Sequence, residues 1–428
     1  MYSLLRACNI VRSTDNSEKR LDVFRSVLQN SRKIRWAYQL YQMSPASVQA
    51  ALVVVYGLKC FLSIAMVKDA RFPLLFFGSY PNERHVLDHV RRNLDTIDHG
   101  EVTISLRNCL RLEALPNLLV YGQAVPRLYV YARKLVARHS FMPACRIFSV
   151  LGYYIRYKRV LANTDIRAVF VANQYSPECL GLVAVAHQSG MKVLFTNHAN
   201  ATIENTYVPP IYADLVAVTS RALADIYQRN SPKTLNIVPL PMALPQRTIR
   251  VPTAQDRKLV AGIYLTALTD LDRLQFIASE LISLRAIETI FIRPHPAAVV
   301  TPDLSGIVAG GRPVEVSNVR TLSEDIARTD LAIVGSSTVA VELLRGGRPV
   351  FYDDRLDGLI HDYNGYLKGG LVPAYPETID ETMFGDLAGH YLGKDWVEKM
   401  RYFDVGYQQD EAAMLEEFRA RVTDVVLG

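Results

Sequence analysis

Short apolar runs alternate with helical stretches from residue 71 onward, which is the pattern of a parallel β-sheet with crossover helices. Eight runs are continuous enough in apolar residues to predict buried strands, at 72–78, 168–172, 192–196, 214–219, 258–265, 287–292, 331–334 and 349–352. Apolar residues spaced at three and four positions predict helices between and after them, at 83–94, 180–188, 221–228, 270–283, 322–328, 338–344 and 410–426.

The strands and helices fall into two sets on either side of a segment that contains Pro241, Pro245 and Pro252. Such a segment favours a linker over a further strand or helix. We therefore predict an α/β protein with two Rossmann-like domains facing a cleft and a helical N-terminal extension. The predicted boundaries are 1–70 for the extension, 71–245 and 246–385 for the two domains, and 386–428 for C-terminal helices.

The extension contains the longest apolar stretch of the chain, residues 46–67, in which Lys59 is the only charge. Ser44 followed by Pro45 predicts that a helix begins there. About 20 apolar residues can span a bilayer, although a central lysine costs roughly 3 kcal/mol. Three interpretations remain open: a helix buried against the protein, a helix lying in the membrane surface, and a membrane span.

Charge is concentrated in the same extension. The net charge of the chain is +6, and residues 1–70 hold ten basic and four acidic residues, whereas residues 71–428 hold 38 of each. This balance excludes general binding of nucleic acid by the two domains. It favours a peripheral, cytoplasmic position at the inner membrane surface, because basic residues are attracted to anionic lipids. Five cysteines without a pairing pattern indicate a reducing compartment.

The clearest candidate chemistry follows the predicted strand 331–334. Gly335 allows close backbone approach, and Ser336, Ser337 and Thr338 open the next helix with hydroxyl groups. Glu342 lies one turn further along and is placed to accept hydrogen bonds from ribose hydroxyls. This segment predicts a phosphate and nucleotide site.

A second candidate segment follows the predicted strand 287–292, where the sequence is Arg-Pro-His-Pro. The two prolines restrict the backbone around His295. Arg293, His295 and Pro296 are therefore predicted to contribute to the same nucleotide site, because the carboxyl ends of parallel strands share one edge of a sheet.

Residues 258–352 resemble GT-B glycosyltransferases that build bacterial surface polysaccharides, on the strength of His295-Pro296 and the downstream Ser336-Ser337 pair. They are most similar to the branch that includes sialyltransferases, polysialyltransferases and Kdo transferases. The resemblance implies that His295 contacts a CMP moiety and that the serine pair contacts its phosphate. The acidic motif that supplies the general base in those sialyltransferases has no counterpart in residues 71–245.

The general base must then come from another loop, since inverting transfer needs a group that removes the acceptor proton. His198, after the predicted strand 192–196, is the first candidate and Glu204 the second, with Glu178 and Glu83 behind them. No Asp-x-Asp motif follows a suitable strand, and no metal ligand set is evident, so we expect a transfer without metal.

The predicted function is inverting transfer of a sugar from a nucleotide-activated donor, a CMP-linked acidic sugar, to a surface glycan or lipid-linked acceptor of capsule or lipopolysaccharide assembly. No further cofactor is expected. A CDP-polyol phosphotransferase, a UDP-sugar 2-epimerase-like enzyme and a non-catalytic assembly factor on the same fold remain alternatives.

Overall fold

A computed structural model of the chain shows two α/β domains built around separate parallel sheets. The described residues are 32–62, 64–68, 71–94, 97–105, 115–138, 141–162, 164–174, 176–197, 201, 208–253, 255, 258–266, 269–295, 304, 306–307, 314–357, 362 and 364–428.

The N-terminal domain contains a seven-stranded sheet. Its strands are β1 (Ile64–Lys68), β2 (Leu74–Phe77), β3 (His99–Ser105), β4 (Ala168–Val171), β5 (Lys192–Phe195), β6 (Leu215–Val218) and β7 (Ile237–Pro239). They lie in the order β1-β3-β2-β4-β5-β6-β7. β1 pairs antiparallel with β3, and the other neighbours pair in parallel. The central strands β2 and β4 are buried along their whole length, as a sheet covered by helices on both faces requires.

The C-terminal domain contains a five-stranded parallel sheet. Its strands are β8 (Leu259–Tyr264), β9 (Ile287–Arg293), β10 (Val314–Val316), β11 (Leu331–Val334) and β12 (Val350–Tyr352). They lie in the order β10-β9-β8-β11-β12, and every pairing is parallel. β8, β9, β11 and β12 therefore end at a common edge.

Thirteen helices are present among the described residues. They are α1 (Arg32–Met43), α2 (Ala46–Leu62), α3 (Pro81–Arg92), α4 (Leu115–Val136), α5 (Phe141–Val160), α6 (Pro177–Gln188), α7 (Arg221–Asn230), α8 (Leu271–Ser283), α9 (Leu322–Arg328), α10 (Val339–Arg345), α11 (Met383–Tyr391), α12 (Trp396–Phe403) and α13 (Glu411–Leu427).

Local capping explains where several helices begin. α7 and α8 begin within one residue of the prediction, whereas α6 begins at Pro177 instead of the predicted residue 180. The Ser176 hydroxyl accepts a hydrogen bond from the Cys179 N–H at the start of α6, and the Ser220 hydroxyl does the same for Leu223 in α7. Asp270 caps α8 through the Arg273 N–H, at 2.9 Å. Each cap satisfies a backbone donor that the helix itself leaves free.

The eight predicted strands are confirmed as β2, β4, β5, β6, β8, β9, β11 and β12. The prediction of one continuous helix over residues 46–67 is wrong at its end. α2 stops at Leu62, and Ile64–Lys68 forms the antiparallel edge strand β1. Apolar composition alone does not separate a helix from a strand, so the sequence does not show where α2 ends.

α2 is built into the N-terminal domain through one of its faces. Ala50, Val53 and Phe61 are buried in a core that also contains residues of α4 and α5. Gly57 allows this packing, because a Cβ there would lie 2.1 Å from a ring carbon of Phe148 in α5. Within the described residues, none of the helices combines the length and the hydropathy that a transmembrane segment requires.

The C-terminal helix α13 returns to the N-terminal domain. Phe418, Val422 and Val426 are buried in the core that covers one face of the first sheet from β2 to β7. The ring of Phe418 packs against that of Phe170 in β4, with their centroids 6.5 Å apart. The chain therefore connects the two domains twice, first through the segment before β8 and again through the segment before α13.

Arg345, the last residue of α10, joins these two connections. Its buried guanidinium contacts the carboxylates of Asp404, at 2.6 Å, and Glu411. It also donates to the main-chain carbonyl groups of Leu244 and Met242 in the first connection. A buried charge with several hydrogen-bonded partners is costly to disrupt, because removing it leaves its partners uncompensated.

We predict that Arg345→Met lowers the free energy of unfolding by about 3–5 kcal/mol, since it leaves the buried Asp404 carboxylate unpaired. Urea denaturation followed by circular dichroism measures this change. Arg320→Met is the matched control, because Arg320 forms an exposed ion pair with Glu315 worth about 1 kcal/mol or less. Equal losses in the two variants would contradict a special role for Arg345.

Candidate functional site

Four loops meet at the carboxyl edge of the C-terminal sheet. They follow β8, β9, β11 and β12, and they carry residues 265–266, 294–295, 335–338 and 353–357. In open α/β sheets, ligands bind outside this edge. Arg293, His295, Ser336, Ser337 and Thr338 all lie at it, as the sequence predicts, whereas Pro296 lies outside the described residues.

The turn after β11 already holds an anionic group from the protein itself. The Ser336 N–H donates to one carboxylate oxygen of Asp357, and the Thr266 hydroxyl donates to the other. Gly335 makes room for this carboxylate, because a Cβ at that position would lie 2.6 Å from both oxygens. Burial raises the pKa of Asp357. The backbone donor predicted for a phosphate is thus used by an internal carboxylate.

The Ser336 side chain faces a tyrosine on the neighbouring strand. Its hydroxyl lies 2.6 Å from the hydroxyl of Tyr352 at the end of β12. Ser337 has a local role, since its hydroxyl accepts a hydrogen bond from the Val339 N–H at 3.4 Å. Thr338 begins α10 as its N-cap residue without a side-chain capping bond. The three hydroxyl residues are partly exposed, which leaves them accessible to a ligand.

Glu342 is the most unusual side chain at this edge. It lies partly buried on α10, one turn after Thr338, and makes no hydrogen bond to any described residue. Loss of solvent raises its pKa to about 7, against a smaller opposing effect of the Arg293 charge. Burial raises the pKa of the neighbouring Tyr366, and the Glu342 charge adds a smaller effect in the same direction; the Tyr366 hydroxyl has no hydrogen-bond partner in the described part of the chain.

Arg293 forms an ion pair with a buried carboxylate. Its guanidinium contacts Asp325, which is fully buried, and donates to the Arg320 carbonyl at 3.0 Å. Ser317 and Arg328 also hydrogen-bond to Asp325, at 2.7 and 3.0 Å. This network fixes Arg293 at the end of β9, so its charge acts from a set position, including on Glu342.

His295 lies two residues after β9 and is partly buried. Burial lowers the pKa of its imidazole, so the ring is largely neutral at pH 7. A neutral imidazole offers one donor and one acceptor nitrogen, which suits the edge of a base or a sugar hydroxyl better than a strong charge contact with phosphate.

The structure describes only two of the four candidate general bases, Glu83 and Glu178. His198 and Glu204 both lie outside the described residues. Glu83 is almost fully buried, and its carboxylate accepts hydrogen bonds from the Ser79 N–H at 2.8 Å and from the Asn173 amide at 2.5 Å. These bonds give Glu83 a structural role at the start of α3. Glu178 is partly buried in the first turn of α6.

Sequence reasoning missed Asp357, Thr266 and Tyr352, which complete the surroundings of Ser336. Asp357 belongs to an acidic segment after β12 that also contains Asp353, but Asp353 is bound to Arg273 of α8. The sequence does not show which of these two carboxylates contacts Ser336, because the partner of each is set by tertiary contacts. In the part of the chain that the structure describes, no three His, Cys, Asp or Glu side chains converge as metal ligands would.

The sequence matches no protein-family model, and no curated protein matches it. Solved structures match it in fold. A protein described as a UDP-N-acetylglucosamine 2-epimerase from Listeria monocytogenes is 12% identical over 83% of this chain and 96% of its own, with a TM-score of 0.51. The calicheamicin glycosyltransferase CalG4 is 9% identical over 69% and 80%, with a TM-score of 0.45. The spinosyn rhamnosyltransferase SpnG is 12% identical over 81% and 99%, with a TM-score of 0.43.

The chain therefore has a GT-B-like fold, with two Rossmann-like domains built on parallel sheets, and the predicted fold class is confirmed. The match with a TM-score above 0.5 is the protein described as a UDP-N-acetylglucosamine 2-epimerase, and at 12% identity it bears on the fold alone. The branch with sialyltransferases and Kdo transferases stays a prediction.

We predict that Glu342→Gln makes the protein more stable at pH 8 and leaves its stability unchanged near pH 4. The folded carboxyl has a pKa of about 7 instead of 4.5, so the folded state binds more protons in this window and wild-type stability falls as pH rises through it. The difference at pH 8 is up to about 3 kcal/mol.

Chemical denaturation of both proteins across pH 4–8 measures this difference. Glu288→Gln is the control, because Glu288 is an exposed carboxylate on β9 of the same sheet. A Glu342→Gln variant that is less stable than wild type at pH 8 would contradict the prediction, because it would mean that the carboxylate has a stabilising partner.

Proposed function

We propose that this protein is a GT-B glycosyltransferase that binds a nucleotide-activated sugar at the carboxyl edge of its C-terminal sheet. The observation that carries the proposal is Glu342, a desolvated carboxyl without a hydrogen-bond partner among the described residues, beside the fixed charge of Arg293. Such a group is costly in the free protein unless a ligand supplies donors to it. Vicinal ribose hydroxyls are donors of the right kind.

Each remaining group at this edge has a proposed role. His295 contacts the base or sugar of the nucleotide, and Ser337 and Thr338 donate to its phosphate. Ser336 contributes once Asp357 has moved from its N–H. The donor is a CMP-linked acidic sugar, which is supported by the resemblance of His295-Pro296 and Ser336-Ser337 to the sialyltransferase branch.

The transfer step is proposed to invert the anomeric centre without metal. A base in the N-terminal domain, His198 or Glu204, removes the proton from the acceptor hydroxyl as that oxygen attacks the anomeric carbon. The bond to the donor phosphate breaks, and the nucleotide leaves with its electron pair. Arg293 and the hydroxyls after β11 support the negative charge that develops on the departing phosphate. The acceptor is a surface glycan or a lipid-linked glycan.

A UDP-sugar 2-epimerase is the second candidate. It is favoured by the pKa of Glu342, because a carboxyl with a pKa of about 7 can take up and release a proton at neutral pH. The two candidates differ in what they require. An epimerase converts UDP-N-acetylglucosamine without an acceptor, whereas a transferase releases nucleotide as the acceptor is glycosylated.

We expect CMP to raise the melting temperature of the protein more than CDP or UDP does. A ligand at a hundredfold excess over its Kd stabilises the folded state by about 2.7 kcal/mol, which a thermal-shift assay detects. Stabilisation by UDP alone, with conversion of UDP-N-acetylglucosamine in the absence of acceptor, would replace the transferase with the epimerase. If no nucleotide stabilises the protein, both proposals fail.

We predict that Glu342→Gln weakens nucleotide binding by about 10- to 100-fold at pH 8, the range expected for loss of hydrogen bonds to a charged group. Isothermal titration calorimetry measures this change. Wild-type affinity is expected to rise between pH 6 and pH 8, as the carboxyl loses its proton, more than the affinity of the variant does. Glu288→Gln serves again as the control, and equal affinities in the three proteins would show that Glu342 does not contact the nucleotide.

A further inference from the structure

Four helices on the N-terminal domain share an unusual composition. α1, α2, α4 and α5 carry three, one, three and four basic residues, respectively, and no Asp or Glu. They come from two separate parts of the chain, and the intervening residues hide the pattern when charge is summed over the whole domain. We call these four helices the cationic helical layer.

The cationic helical layer is a packed unit. α2 packs on α4 and α5 through a shared core, and the Tyr129 hydroxyl of α4 donates to the Ser47 carbonyl of α2 at 3.3 Å. α1 is tied to the same unit, because Tyr41 is buried and its pKa is raised to about 12 by burial and by Cys145 of α5. The four helices that carry these basic residues are therefore gathered on one part of the domain.

The layer also exposes apolar side chains at helical spacing. On α1, Trp36, Leu40 and Met43 occupy one face and are 65%, 47% and 84% exposed. On α2, an exposed stripe runs along the face opposite to the core, and it consists of Val48, Leu52, Val55 and Tyr56. Apolar surface of this extent on consecutive helices marks an interaction surface.

Basic and apolar residues alternate on the exposed parts of the other two helices. Val130 is 54% exposed on α4, between Arg127 and the pair Arg133 and Lys134, which are exposed as well. On α5 the exposed residues are Ile155, Lys158 and Arg159. The cationic helical layer therefore exposes both apolar groups for insertion and cations for contact with anionic groups.

We propose that the cationic helical layer docks on the surface of a membrane that contains anionic phospholipid. The lipid headgroups supply the negative charge that the layer lacks, and the interfacial region accepts Trp36 and the aliphatic side chains of α1 and α2. The helices lie along the surface, because the core face of α2 is fixed in the domain.

Charge and composition disfavour the other occupants. A second copy of the chain docked through the same face would bring a second set of helices without acidic residues against the first, so their positive charges would repel each other. Single-stranded nucleic acid uses aromatic side chains for stacking, whereas the exposed stripes here are mostly Leu, Met and Val. The proposal rests on no residue of the nucleotide site and stands or falls independently of the proposed function.

Vesicle co-sedimentation of the full chain tests the proposal. We expect binding to phosphatidylcholine vesicles that contain about one-third phosphatidylglycerol, weaker binding at high salt, and little binding to phosphatidylcholine alone. The double variant Arg133→Glu with Lys134→Glu should reduce partitioning at least about 25-fold, since each basic residue near an anionic surface contributes roughly fivefold. The matched control is Arg221→Glu with Lys233→Glu, which reverses two exposed charges outside the layer.

A second measurement locates the contact. The chain has two tryptophans, of which Trp36 is 65% exposed and Trp396 is buried. Lipids with brominated acyl chains should quench part of the fluorescence of the wild type and none of the fluorescence of Trp36→Phe. Two results would overturn the proposal. One is no binding to anionic vesicles, whether or not Arg133 and Lys134 are needed for a dimer or an RNA complex, and the other is an equal loss of binding in the control double variant.

Discussion

The packing of α13 against the N-terminal domain is the constraint on which the arrangement of this protein depends. Phe418, Val422 and Val426 belong to the hydrophobic core of the first sheet, although the chain reaches them only after completing the second domain. Arg345 sits where the two connections between the domains meet and binds the carboxylate at the start of α13. The edges of both sheets are consequently positioned by a small group of buried contacts that lies away from the loops that carry the chemistry.

The sequence patterns that were predicted correctly are those with a local physical cause. Strands such as β4 and β11 are short apolar runs that the sheet buries completely, and Ser220 and Asp270 cap the helices that they precede. The predicted end of α2 is wrong because the apolar residues of helix α2 and of strand β1 look alike in sequence. That boundary is decided by the pairing of β1 with β3, which is a tertiary contact.

The same division applies to the candidate site. Glycine, serine and histidine residues at strand ends could be placed at the sheet edge from sequence, because parallel strands fix where their loops emerge. The contact of Asp357 with Ser336 could not, since the two residues are brought together by separate strands. The local concentration of charge also depends on which helices pack together. The summed charge of residues 71–428 is zero, yet α4 and α5 together hold seven basic residues and no acidic ones.

The internal carboxylate at Gly335 has a consequence for how any anion binds there. Asp357 occupies the backbone donor of Ser336 and is itself desolvated, so an anion that uses this donor has to displace the carboxylate. The free energy of binding then depends on how much more strongly these donors interact with the anion than with the Asp357 carboxylate. The free energy needed to move the loop after β12 reduces it further. Gly335 affects that exchange, because a Cβ at this position would lie 2.6 Å from both carboxylate oxygens of Asp357. A side chain at position 335 would therefore displace the Asp357 carboxylate from the Ser336 N–H even when no ligand is bound.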